Sequence, residues 1–180
     1  MPSEEEEPMT ALDRQLVTAL RDAHALEQHV QAVLSEALTS VADEPELCRP
    51  LGHFAERAHA HNRAIEARLR AHDASPSLVK DAGMLFASVA EAAFGPGHRA
   101  GAAKYLRDAY AAVHLQIAAG ELLWRLAERN GDPETARVAA GMCSDGHEIA
   151  DQLSGTWDLA LDVALRAHAF GGRRRAGSKR

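Results

Sequence analysis

The chain has 180 residues, with 26 acidic against 20 basic side chains, 37 alanines, and aromatic content limited to 2 Trp, 2 Tyr and 4 Phe. It is short of the aromatic and β-branched residues that strands favour and rich in Ala, Leu, Glu and Arg, which cost least in a helix; that excludes a sandwich or barrel and points to one all-α domain. No apolar run is long enough for a membrane span, and a net charge of −6 argues against general nucleic-acid binding.

The N-terminus opens on Glu4 to Glu7, where a secretory leader would carry basic residues and an apolar stretch. We therefore expect an intracellular, cytoplasmic protein, in which Cys48 and Cys143 are buried thiols. Residues 1–9 read as an acidic disordered tail. The first helix is expected from Thr10 to Val41, on a stripe of Leu12, Leu16, Leu20, Ala23, Leu26, Val30, Leu34, Leu38 and Val41 at spacings of three and four. Asp43 then has the form of an N-cap, with Glu46 completing a capping box and Pro45 in the first turn.

A second helix runs from there to about His72, with Leu51, Phe54, Ala58, His61, Ile65 and Leu69 on one face, and Ser75-Pro76-Ser77 breaks it. A shorter apolar helix, Leu78 to Phe94, ends at Gly95-Pro96-Gly97. The next long helix spans Arg99 to Asn130 on Leu106, Tyr110, Val113, Ile117, Gly120, Trp124 and Ala127. Gly131 stops it, and Asp132-Pro133 caps and opens a helix to Leu153 that turns Val138, Met142, Ile149 and Leu153 inward. Gly155 interrupts the chain before a last segment to Phe170, with Trp157, Leu161 and Leu165. Residues 10–170 form the expected bundle. Gly171-Gly172 is expected to stop the folded part and open a basic disordered tail, 171–180, carrying Arg173, Arg174, Arg175, Lys179 and Arg180.

Short loops within each pair of long helices, and about 25 residues between the pairs, give an antiparallel four-helix bundle with one long crossover, as in ferritin-like folds. The expected fold adds a short helix in that crossover and an extra C-terminal helix.

Several stretches carry a family resemblance: Leu20-Arg-Asp-Ala-His-Ala-Leu-Glu27-Gln, Pro76-Ser77-Leu-Val-Lys80-Asp81, His114-Leu-Gln-Ile-Ala118, Gly131-Asp-Pro-Glu-Thr-Ala-Arg137 and Ile149-Ala-Asp-Gln-Leu153. In this order and spacing, over roughly residues 12–155, the chain resembles the ferritin-like family typified by the bacterial stress-associated proteins YciE and YciF, a domain of unknown function. A dinuclear ferritin-like centre takes about four carboxylates and two histidines from mid-bundle, because hard, redox-active iron wants anionic oxygen ligands.

The resemblance places Glu27 on the family's first-helix glutamate. For the second helix two registers compete. Literal matching selects His53-Phe-Ala-Glu56. Counting back from Pro76 aligns the family's His, Glu and Thr with Phe54, Arg57 and Ala58, which suits the apolar stripe better. On the third helix Val113 and Gln116 stand at the two carboxylate positions and Gly120 at the Tyr. On the fourth, Gly146 stands at the inward glutamate. One carboxylate remains, so the sequence implies a degenerate metal site, no bound cofactor and a non-catalytic role, structural or tied to stress-related binding. Gly120 and Gly146 leave room that Phe54 is expected to fill.

The other reading is a metal-dependent ferritin-like protein, binding or oxidising iron through a rearranged site drawn from Glu27, His61 and Asp145. In the metal-free reading, a buried Glu27 needs Gln116 or Arg57 as partner, and His24, His29, His59, His72 and His114 lie on wet faces. His53, Glu56 and His59 could catch a surface metal adventitiously. The expected assembly is a homodimer, with Trp124 and Trp157 as candidate contacts. The basic tail is the one place where a weak nucleic-acid, anionic-surface or partner interaction would lie. No GxSxG and no phosphate-binding glycine loop occurs.

Overall fold

A computed structural model describes residues 9–76 and 101–177, with side chains to residue 167. Five helices occur among the described residues: α1 (Ala11–Ser40), α2 (Pro45–Ala71), α3 (Ala102–Asn130), α4 (Pro133–Ser154) and α5 (Trp157–Gly177). The helix expected at Leu78 to Phe94, residues 1–8 of the acidic end, the last three residues of the basic end and the Lys80-Asp81 motif lie outside the described residues. No described helix is long and apolar enough to cross a membrane.

The ends of the helices follow local chemistry. Thr10 caps α1, accepting from the Asp13 amide while the Asp13 carboxylate accepts from the Thr10 N–H, a reciprocal box. At α2 the expected box on Asp43 does not form. The N-cap is Glu44, without a side-chain cap bond, and Pro45 takes the first helical position. The loop spends its turn one residue later than the motif suggested, with the Glu44 N–H bonded back to Val41.

The far end of α2 closes before Ser75-Pro76. Asp73 adopts φ 51°, and the Ala74 and Asp73 N–H groups return to Leu69 and Arg70 carbonyls, a Schellman-type stop with Asp where Gly is usual. Gly131, at φ 70°, closes α3 in the same way, with the Asp132 N–H on Ala127; here the left-handed backbone favours Gly. Asp132 then caps α4 through the Thr135 amide. The helical backbone of α5 passes Gly171-Gly172 and runs to Gly177, beyond the stop read at those glycines. A glycine costs about 1 kcal/mol in a helix, which neighbouring Ala and Arg residues can offset.

Two apolar clusters reveal the topology. One gathers the C-terminal half of α1 (Leu26 to Val41), the N-terminal halves of α2 (Leu47 to Ala58) and α3 (Ala102 to Val113), and the end of α4 (Ile149 to Leu153). The other gathers the opposite halves, with Leu16, Leu20, Ile65, Leu69, Leu123, Ala127, Ala139 and Met142. So α1 runs antiparallel to α2 and α3 and parallel to α4. The end of α2 and the start of α3 lie at opposite ends of the bundle, the ferritin-like arrangement with one long crossover. α1 packs on α2 and α3, α4 packs on α3 and α2, and α5 lies against α3.

Candidate functional site

Between the two apolar clusters lies a polar layer at mid-height. α1 supplies Glu27, α2 His61 and α3 Gln116, all buried, and α4 supplies the half-buried Asp145. Glu27, His61 and Gln116 arrive there because their helices turn an apolar stripe inward and these positions continue it, while Asp145 stands at the edge of the α4 stripe beside Gly146.

The layer is one connected chain. The Gln116 amide donates to Glu27 Oε1 at 2.6 Å and lies 3.1 Å from His61 Nδ1. His61 Nδ1 is 3.5 Å from Glu27 Oε1, and its Nε2 is 3.0 Å from Asp145 Oδ2. Arg57 donates to the same Asp145 oxygen at 3.3 Å and to His53 Nε2 at 3.3 Å, and His53 Nδ1 is 3.3 Å from Gln152. With the His61 proton on Nε2, Gln116 gives one N–H to the Glu27 carboxylate and the other to the ring. Burial pushes His61 down, but the Glu27 and Asp145 carboxylates on either side outweigh it, and the net shift is upward. Within this layer two buried acceptors, Glu27 Oε2 and Gln116 Oε1, have no hydrogen-bond partner among the described residues.

Glu27, His61, Gln116 and Asp145 thus converge. Arg57 does not meet Glu27; it reaches outward to Asp145 and His53, because its position on α2 faces the α4 edge rather than the centre. Phe54, Ala58, His61 and Ile65 face the interior, while Glu56 is exposed and His53 half-buried.

Packing fills the remaining positions. Val113 and Phe54 are fully buried. A Cβ on Gly146 would stand 2.6 Å from Ile117 Cγ1, and one on Gly120 would stand 2.8 Å from Cys143 Sγ. The glycines therefore let α3 and α4 approach closely. The space expected for Phe54 is taken by Ile117 and Val113 at Gly146, and by Cys143 and Met142 at Gly120. Phe54 is buried in the apolar cluster on the α1 C-terminal side instead. Cys143 bonds to the Ile117 carbonyl at 3.6 Å, and burial, then Glu121, pushes its thiol up, away from a reactive thiolate.

These residues do not fit a dinuclear iron centre. The donor set is one buried carboxylate, one histidine, one neutral amide and one edge carboxylate. Glu27 and Asp145 lie against opposite nitrogens of one imidazole, so the ring separates them. Among the described residues, no group of three or more His, Cys, Asp or Glu is gathered to hold a metal ion.

The other histidines divide. His24 is buried, not on a wet face, with Nε2 3.1 Å from Glu66, because α1 and α2 close over it. His72 is half-buried against Asp132 at 2.8 Å. His59 and His114 are exposed.

A second polar cluster escaped the sequence reading. Asp132 accepts from the Thr135 amide and hydroxyl, from Arg68 at 3.0 and 3.1 Å, and from His72, so it clasps the end of α2 to the α3–α4 turn. Its capping role was legible, but its partners on α2 carry no local signal.

The sequence matches the domain of unknown function DUF892 over residues 11–161. The chain belongs to the DUF892 family. No curated protein matches it by sequence. Among solved structures, this DUF892 chain is similar to a protein from Xanthomonas campestris pv. campestris, at a TM-score of 0.73 and 20% identity, covering 89% of this chain and 99% of that one. It is also similar to the Escherichia coli stress protein YciF, at a TM-score of 0.68 and 17% identity, covering 86% and 97%. A third, YcfI from Rhodopseudomonas palustris, has a TM-score of 0.66 and 18% identity, covering 83% and 96%. At these identities the likeness is one of fold, and it supports the ferritin-like bundle for this DUF892 member.

Proposed function

We propose that this DUF892 protein is a non-catalytic ferritin-like scaffold without a resident metal or cofactor. It acts in the cytoplasm as a homo-oligomer, in a structural or stress-related binding role like that suggested by the description of YciF as a stress protein. One observation carries the reading: Ile117 stands in the volume that a side chain at position 146 would need. Val113 and Phe54 support it, since neither can supply a charged oxygen. The test is iron(II) oxidation at neutral pH. The expected rate equals that of protein-free buffer, and a saturable, protein-dependent rate would overturn the proposal.

A second reading, iron binding or oxidation through Glu27, His61 and Asp145, draws on the buried, unpartnered Oε2 of Glu27 and Oε1 of Gln116. It expects His61→Ala to abolish iron binding and the scaffold reading expects no binding to abolish, so anaerobic iron titration of both chains separates the two.

A further inference from the structure

The outward face of α3 carries a second apolar stripe. Leu122 is 57% and Leu115 41% exposed. With Ala111, Ala118 and the half-buried Leu126 they repeat at spacings of three and four. Isolated exposed leucines are ordinary, but a continuous stripe on a helix whose other side is already buried marks a contact surface.

Beside this stripe, α1 and α3 enclose an open groove of about 510 Å³, lined among others by Ala11, Arg14, Thr18, Asp22, Leu122 and Leu126. Its charges are self-complementary. Arg14 and Asp22 are exposed on the same face of α1, four residues on either side of Thr18. Each therefore lies about 6 Å along the helix from that point. A two-fold axis through Thr18 brings Arg14 of one copy against Asp22 of the other, twice, with small side chains at the centre and leucines flanking them. An isologous interface needs this self-complementary pattern.

We propose that the α1–α3 groove is a dimer face, occupied by the same groove of a second copy. The inference rests on the homo-oligomer in the proposed function and specifies its surface. It places the contact away from Trp124 and Trp157, neither of which lines this groove; Trp157, 37% exposed, packs on Tyr110 with ring centroids 5.6 Å apart.

The test is sedimentation equilibrium of the full chain and four variants, with helicity checked by circular dichroism. The wild type is expected to dimerise and Leu122→Glu to remain monomeric with unchanged helicity. Arg14→Asp and Asp22→Arg are each expected to weaken association about tenfold or more through like-charge contacts, and the double variant to regain wild-type affinity. Because Arg14 and Asp22 are exposed, this pair decides the matter even if Leu122→Glu misfolds. A dimer indifferent to these changes would overturn the assigned face and leave the homo-oligomer standing. A monomer at every concentration would overturn both. Leu122→Glu lowering the melting temperature of a chain that is monomeric throughout would show the groove covered by this chain's own residues, and would also overturn the proposal.

Discussion

Gln116 is the residue on which the mid-bundle layer turns, since one amide serves both Glu27 and His61. Gln116→Leu leaves a fully buried carboxylate with only His61, at 3.5 Å. The expected loss of stability is about 2–3 kcal/mol, the scale for stranding a buried polar group, and denaturant titration would show it; a change below about 0.5 kcal/mol, the size of ordinary surface effects, would contradict the role. Gly146→Ala gains about 1 kcal/mol of helix propensity but drives a Cβ against Ile117. A net loss of about 1–2 kcal/mol is expected from overpacking. A double-mutant cycle with Ile117→Ala should show favourable coupling of about 1 kcal/mol, and additive effects would refute the contact. At this scale the sequence was a partial guide. That Val113, Gln116 and Gly146, at the positions the resemblance matched, carry no carboxylate was legible directly. What fills the glycines was not, because the Ile117 and Cys143 contacts depend on how closely α3 and α4 approach, which a linear pattern does not encode.

At the scale of elements, polar groups tie α2 to α4: His53 to Gln152, Arg57 and His61 to Asp145, and Arg68 and His72 to Asp132. Asp132→Ala removes both the α4 cap and the clasp, and should cost roughly 2 kcal/mol, the upper end of N-cap losses; calorimetry of the variant checks it. Burial alone would raise the Asp132 carboxyl, but the bonds from Thr135, His72 and Arg68 hold it well below the usual carboxylate range. Its contribution is therefore present above the unfolded carboxylate pKa and is lost as pH falls through the folded value. His61 has the opposite sign. Its raised value stabilises the fold fully below the usual histidine pKa of about 6.5, and that contribution fades as pH rises through the folded value. Between pH 6 and 9, denaturant midpoints should thus fall more for the wild type than for His61→Gln, and parallel curves would contradict the assignment. Helix ends were legible where they are local, as at Thr10, Gly131 and Asp132. One was missed at the start of α2, where the capping box expected on Asp43 gives way to an N-cap at Glu44 with no side-chain bond.

At the scale of the molecule, apolar periodicity and loop lengths specified a ferritin-like bundle because each long helix carries one stripe and the pairs are joined closely. Two apolar clusters, separated by one polar layer, make up the interior of this topology. Packing above and below the layer and hydrogen bonds within it connect all four helices. The outward stripe on α3 was not read from sequence, because Leu115 and Leu122 fall between the inward positions and look like ordinary helix surface until the neighbouring helices are placed. We propose that side chains, not iron, complete this bundle. Elemental analysis of the full chain, purified without chelators from iron-supplemented cells, decides between the two: only trace, substoichiometric iron is expected, and stoichiometric bound iron would overturn the proposal.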